Sequence, residues 1–317
     1  MTLKSLTRAA LPALFLLAAC EQAPVPSAPP PAPPAETPEK TPPKAAEPSA
    51  RSLEFARYYA RSQSRLKGQG LLRTDGGGVD VPFSRRMLVE NFVKIALYDE
   101  YTVRGGRFVA QQTPSALRRW EDPVRVKLEF GPSVSASQRK RDQAMTRQYI
   151  QRLARLTGAD IRMTDGRANY HVLVMNTDEL AASGDQLNRL VPGIGRPTLN
   201  EIARLPRYTF CSVYAFSEQG NDNRYSAAVA VIRAEHPPLL RQSCLHEELA
   251  QGLGLANDSP AARPSIFNDD EEFALLTRHD ELLLKILYDR RLKLGMTPAT
   301  ARPIVEQIVA ELIPGES

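Results

Sequence analysis

The chain has 317 residues, and its 41 basic against 36 acidic side chains give a formal charge of +5. So small a surplus excludes a strongly basic nucleic-acid binder and leaves no nucleic-acid partner expected. An apolar share of 42% supports a globular fold, and three cysteines allow one disulfide plus one thiol with another use.

The first 22 residues place Lys4 and Arg8 ahead of a short apolar run, Ala9 to Ala19, which ends at Cys20. That is the layout of an export signal, and the run is about half the roughly 20 residues a spanning helix needs. Leu17-Ala18-Ala19-Cys20 resembles the lipobox of bacterial lipoproteins. The resemblance implies cleavage after residue 19 and diacylglycerol on Cys20, so the membrane is an expected partner through that lipid. Glu21 stands where the resemblance would place Asp for inner-membrane retention, so an outer-membrane address with a periplasmic domain is expected. Residues 20–50 are rich in Pro, Ala and Glu, with 11 prolines from Pro24 to Pro48. Such a stretch cannot bury a core and favours polyproline II, either as a spacer several nanometres long or as a PxxP ligand.

In chain order, Leu53, Phe55, Ala56, Tyr59 and Ala60 predict an amphipathic helix, which ends before Gly76-Gly77-Gly78. Ser84 caps a second helix carrying Met87, Leu88, Phe92, Ile95 and Ala96, so residues 51–118 read as a helical extension, a lid or a flank. The main domain is expected over 119–317. It opens with a half-buried strand, Pro123 to Phe130, followed by a helix from about Ser137 to Leu156. Strands are predicted at Asn169 to Val174 and Tyr208 to Phe216, and the turn Gly220-Asn221-Asp222-Asn223 leads into Ala227 to Ile232 as a hairpin. Helices are predicted at about Ser243 to Leu253, Asp280 to Leu287 and Ile304 to Ile313.

In an oxidising compartment Cys211 and Cys244 are expected to pair, stapling a strand to a helix; two buried free thiols are the alternative.

The segment from Cys244 to Asp289 holds the residues that carry chemistry. Leu253-Gly254-Leu255, Ser265-Ile266-Phe267 and the stretch Leu276-Thr277 through Asp280 to Leu287-Tyr288 resemble the active-site half of metzincin metalloproteases, especially matrixins. The resemblance implies an α+β, zincin-type mixed sheet with an active-site helix. Anchored on Gly254, it sets Glu247, Gln251 and Asn257 where three histidines belong and Glu248 where the general base belongs. His246-Glu247 does not begin an HExxH motif, because the next ligand position is Ala250. Glu247, Gln251 and Asn257 or Asp258 would form an oxygen-rich cluster. Three readings stand: a hydrogen-bonded cluster with no cofactor, a calcium or magnesium site, and, poorest in ligand chemistry, zinc. His246 and His279 are alternative ligands, and Asp269 to Glu272 form an acidic run.

The chain also resembles an uncharacterised proteobacterial lipoprotein family, a domain of unknown function. That likeness rests on Asn91-Phe92 with Glu100, Arg119-Trp120 through Val126, the pattern Glu247-Glu248-x-x-Gln251-x-x-Gly254-Leu255-x-Asn257-Asp258, and Leu287-Tyr288-Asp289 with Gly295-Met296. The expected role is an anchored binding or support module without proteolysis, gripping an envelope protein or peptide. The alternative is a metal-dependent hydrolase with Glu248 as general base.

Overall fold

A computed structural model describes residues 47–104, 107–268 and 270–315. The export signal, Cys20, most of the Pro-rich segment and Asp269 lie outside the described residues. Helix α1 (Ala50–Gly68) starts at Ser49, whose hydroxyl accepts from the Ser52 amide, and α2 (Arg85–Ala96) starts at Ser84 in the same way. An antiparallel hairpin follows, β1 (Tyr98–Arg104) and β2 (Arg107–Pro114). Next come β3 (Val124–Phe130), α3 (Ala136–Thr157), β4 (Ile161–Met163) and β5 (Tyr170–Met175). Three short helices, α4 (Thr177–Ala181), α5 (Gly184–Leu190) and α6 (Arg196–Ala203), lead to β6 (Cys211–Glu218) and β7 (Asn221–Arg233). The chain closes with α7 (Pro238–Gln251), α8 (Arg278–Leu287) and α9 (Pro298–Leu312).

The fold is α+β, built on a five-stranded mixed sheet of order β4-β3-β5-β7-β6. Strands β4, β3, β5 and β7 run parallel, and β6 pairs antiparallel with β7 at one end of the sheet. Every residue of β5 is buried, as expected of a strand covered on both faces. The alternation of side chains divides the core. Tyr170, Val172, Val174, Ala228, Ala230 and Ile232 join one cluster with residues of α3, α7 and α8, while Leu173, Met175, Val229 and Val231 meet Leu180, Leu187 and Ile202 on the other side.

The stretch before Trp120 is more than helix, since it also holds the β1–β2 hairpin. Nor does α2 act as a lid: Leu88, Phe92 and Ile95 belong to the main core. Helix α1 is a flank, packing Phe55, Tyr59 and Leu66 on Leu240 and Ala274.

Cys211 and Cys244 form a disulfide spanning 33 positions, which ties end strand β6 to α7. Closing a loop of that length removes unfolded-chain entropy worth roughly 3 to 4 kcal/mol. The variant Cys211→Ala with Cys244→Ala is expected to lose about 3 kcal/mol of unfolding free energy in denaturant titration. A loss below about 1 kcal/mol would contradict this account of the staple.

Candidate functional site

Helix α7 opens on Pro237-Pro238, and ten of its 14 residues are buried. Its end is fixed by aromatic hydroxyl and indole donors from three separate segments. The Tyr170 hydroxyl on β5 donates to the Glu248 carbonyl at 2.6 Å, Trp120 Nε1 to the Gly252 carbonyl at 2.8 Å, and the Tyr288 hydroxyl to the Leu253 carbonyl at 3.0 Å. A Cβ on Gly252 would lie 2.1 Å from the Tyr170 hydroxyl, and one on Gly254, at φ +127°, 2.4 Å from the Arg118 carbonyl oxygen. The glycines let the turn close against these groups.

Held this way, α7 turns Glu247, Glu248 and Gln251 into a cleft of about 490 Å³, which Asp258 also lines. The opposite wall is β6, from Cys211 to Tyr214, together with Leu205, Pro206, Tyr208, Thr209 and Phe210 of the preceding loop. That loop is pinned from below by Arg233, 1% exposed, whose guanidinium donates to the carbonyls of Leu205, Pro206 and Thr209 at 2.7 to 3.3 Å. No residue of α1 or α2 lines the cleft.

Four of the expected residues therefore meet in one cavity, and the Gln251 amide donates to Asp258 Oδ1 at 3.0 Å. Asn257 goes elsewhere: fully buried, it donates to the Lys94 carbonyl at 2.9 Å and its amide to the Ile95 carbonyl at 3.1 Å, closing the end of α2. Among the described residues, one group of three potential ligands brings its atoms within 4.8 Å of one another: Cys211, Glu247 and Glu248. The Cys211 sulfur is bonded to Cys244, so it offers no thiolate. What remains near α7 is carboxylate and carboxamide oxygen, a donor set that suits a hard cation better than zinc.

The histidines are placed in the core. His246 Nδ1 accepts from the Leu276 amide at 3.1 Å, its ring stacks on Tyr149 at 3.9 Å, and burial pushes its pKa down to about 3. His279, fully buried, has Nε2 at 3.0 Å from the Asn91 amide nitrogen and its ring edge-on to Phe83. Beside it Asp280 gathers Ser265 Oγ, the Ile266 amide, the Thr277 amide and the Thr277 hydroxyl at 2.5 to 3.1 Å. Asp280 thus binds the Ser265–Phe267 turn to the first turn of α8.

Sequence reasoning missed Glu201 and Tyr208, which with Glu271 of the acidic run complete the lining. Glu201 on α6 accepts from the Tyr214 hydroxyl at 3.2 Å, and burial raises its carboxyl above the usual range. Tyr208 stands 75% exposed at the rim. An aromatic shortly after Pro206 was the available signal for Tyr208; Glu201 gave none.

Gly252→Ala is expected to cost about 2 to 3 kcal/mol by overpacking, and Tyr170→Phe in that background to recover part of it. A cost below about 0.5 kcal/mol in chemical unfolding would contradict the contact. The unfolded chain binds a proton near pH 6.5 that folded His246 refuses until about pH 3. Stability therefore falls as pH drops between those values, by up to about 1.4 kcal/mol per pH unit from this ring. His246→Gln should flatten the fall between pH 6 and 4 in acid titrations of the unfolding midpoint, and an unchanged slope would refute the assignment.

No curated protein and no solved structure matches the chain. A family model described as a protein of unknown function, DUF2927, matches residues 85–307. That region holds the sheet, α7 with its glycine turn, the cleft and α8, and the chain belongs to this family.

Proposed function

We propose that the chain is a lipoprotein anchored through Cys20 in the outer membrane, whose metzincin-like periplasmic domain binds an extended, basic peptide without cleaving it. The observation that carries the reading is that the cleft follows the edge of β6, which has no strand partner on that side among the described residues. Its lining comes from both faces of the sheet: Glu201 and Tyr214 on one, Glu247 and Glu248 on the other. An open edge beside a groove is what strand addition requires, with main-chain hydrogen bonds giving affinity and alternate side chains giving specificity.

The charge pattern supports a basic peptide. The five charged residues of the lining, Glu201, Glu247, Glu248, Asp258 and Glu271, are all acidic, in a chain whose net charge is positive. No three of these carboxylates bring oxygens within 4.8 Å of one another. Spread charge suits cations carried on alternate residues of a strand, about 7 Å apart, better than one central ion. The metzincin likeness is supported by the order of active-site helix, glycine turn, pinned Ser265–Phe267 turn and final helix. The binding reading is favoured over hydrolysis by the use of His246 and His279 inside the core. A hydrolase with Glu248 as general base is the second reading, favoured by the carboxylate oxygens of Glu247 and Glu248 that approach within 4.8 Å.

The full chain is expected to bind a decapeptide of alternating lysine and valine at least about tenfold tighter than its glutamine counterpart in fluorescence anisotropy. Glu247→Gln with Glu271→Gln should narrow that gap, and N-methylation of alternate peptide amides should abolish binding. Equal affinity of the N-methylated peptide would refute strand addition. Cleavage of the peptide by the wild type but not by Glu248→Gln, with a co-purifying metal, would replace binding by hydrolysis.

A further inference from the structure

We infer that the outward face of α1 is a membrane-docking surface, an arginine row that settles on the anionic phospholipid of the bilayer carrying the tether. The inference rests on the reading that Cys20 is lipidated. Helix α1 lies ahead of the family region, 85–307, and is the first helix among the described residues, close to the end of the expected tether. Its inner face, Phe55, Tyr59 and Leu66, packs on Leu240 and Ala274. On the opposite face Arg57, Arg61 and Arg65 recur at intervals of four, all exposed, with Lys67 near the end and Leu53 44% exposed beside them.

Like charges four apart weaken a helix, so the row is not explained by the stability of α1 itself. Glu54 is the sole carboxylate in the helix, and it pairs with Arg207 at 3.5 Å. Arg57, Arg61 and Arg65 make no ion pair among the described residues. The row lies on the exposed face of the helix, and an extended anionic surface is the geometry that meets three guanidiniums at once. The tether makes modest affinity sufficient, because a link of this length holds the domain at an effective concentration on the order of millimolar. The Pro-rich segment then sets the greatest height of the domain, and the arginine row selects the lowest. Held this way, α1 orients the domain on the membrane.

The test uses the chain from residue 20 onward with Cys20→Ser, so that neither the signal segment nor an acyl group contributes, and co-sedimentation with phosphatidylcholine vesicles with or without 30% phosphatidylglycerol. The expected result is binding to the anionic vesicles alone, lost at high salt. Arg57→Gln, Arg61→Gln and Arg65→Gln together should weaken it roughly a hundredfold, at about fivefold per basic residue. The same three positions changed to lysine should retain binding, which separates charge from fold. Arg139→Gln, Lys140→Gln and Arg141→Gln together, on the first turns of α3, should change it less than about twofold if the row is specific. Equal losses from the two glutamine triples, or binding unaffected by the α1 triple, would overturn the inference. The mass of the wild-type N-terminal residue tests the tether separately: an unacylated Cys20 would remove the anchor reading and leave the vesicle result standing.

Discussion

The site depends on the contact between the Tyr170 hydroxyl and the backbone at the end of α7. Tyr170 rises from the most buried strand of the sheet, and its hydroxyl occupies the space a Cβ at Gly252 would fill. The hydrogen bond to the Glu248 carbonyl sets both the height and the rotation of α7 over the sheet. Trp120 and Tyr288 lock the turn from either side, and the Cys211–Cys244 bond fixes the distance to β6. The width of the cleft is therefore set by buried aromatic rings and one covalent link, and the carboxylates on α7 are carried into place by it.

Charge of opposite sign is carried on two separate surfaces of the domain. The described cleft has an all-acidic charged lining, whereas α1 carries exposed arginines on the side away from its packed face. Buried polar groups serve the fold: Arg241 pairs with Asp142 at 2.9 Å in the core, and Arg233 holds the loop that forms the cleft wall. Removing one partner of such a buried pair leaves an uncompensated charge, so these residues stabilise the frame around the site. On the proposed reading, α7 and the free edge of β6 are the parts of this frame that hold a chain.

Much of this was legible because it is local. Ser84, Ser135 and Thr277 cap the helices that periodicity predicted, and Gly220 marks the turn between β6 and β7. The pairing of Cys211 with Cys244 followed from counting thiols in an oxidising setting. The β1–β2 hairpin was missed although Tyr101 and Val103 alternate in β1 and Gly105-Gly106 is a hairpin signal. The start of α4 was also readable, from the capping box of Asn176 and Glu179. Within the site, spacing placed Glu247, Glu248 and Gln251 together because one helix carries them. It could not separate Asn257 from Asp258, whose adjacent side chains point to different partners. Glu201, Tyr208 and Glu271 come from α6 and two loops, and only tertiary packing brings them to the cleft.

The most direct test of the central claim is hydrogen–deuterium exchange of the full chain with and without the lysine-bearing decapeptide. Strand addition predicts slowed exchange concentrated in 211–218, at the β6 amides, with smaller changes along 247–258. Protection confined to other segments, or no protection at saturating peptide, would contradict the account.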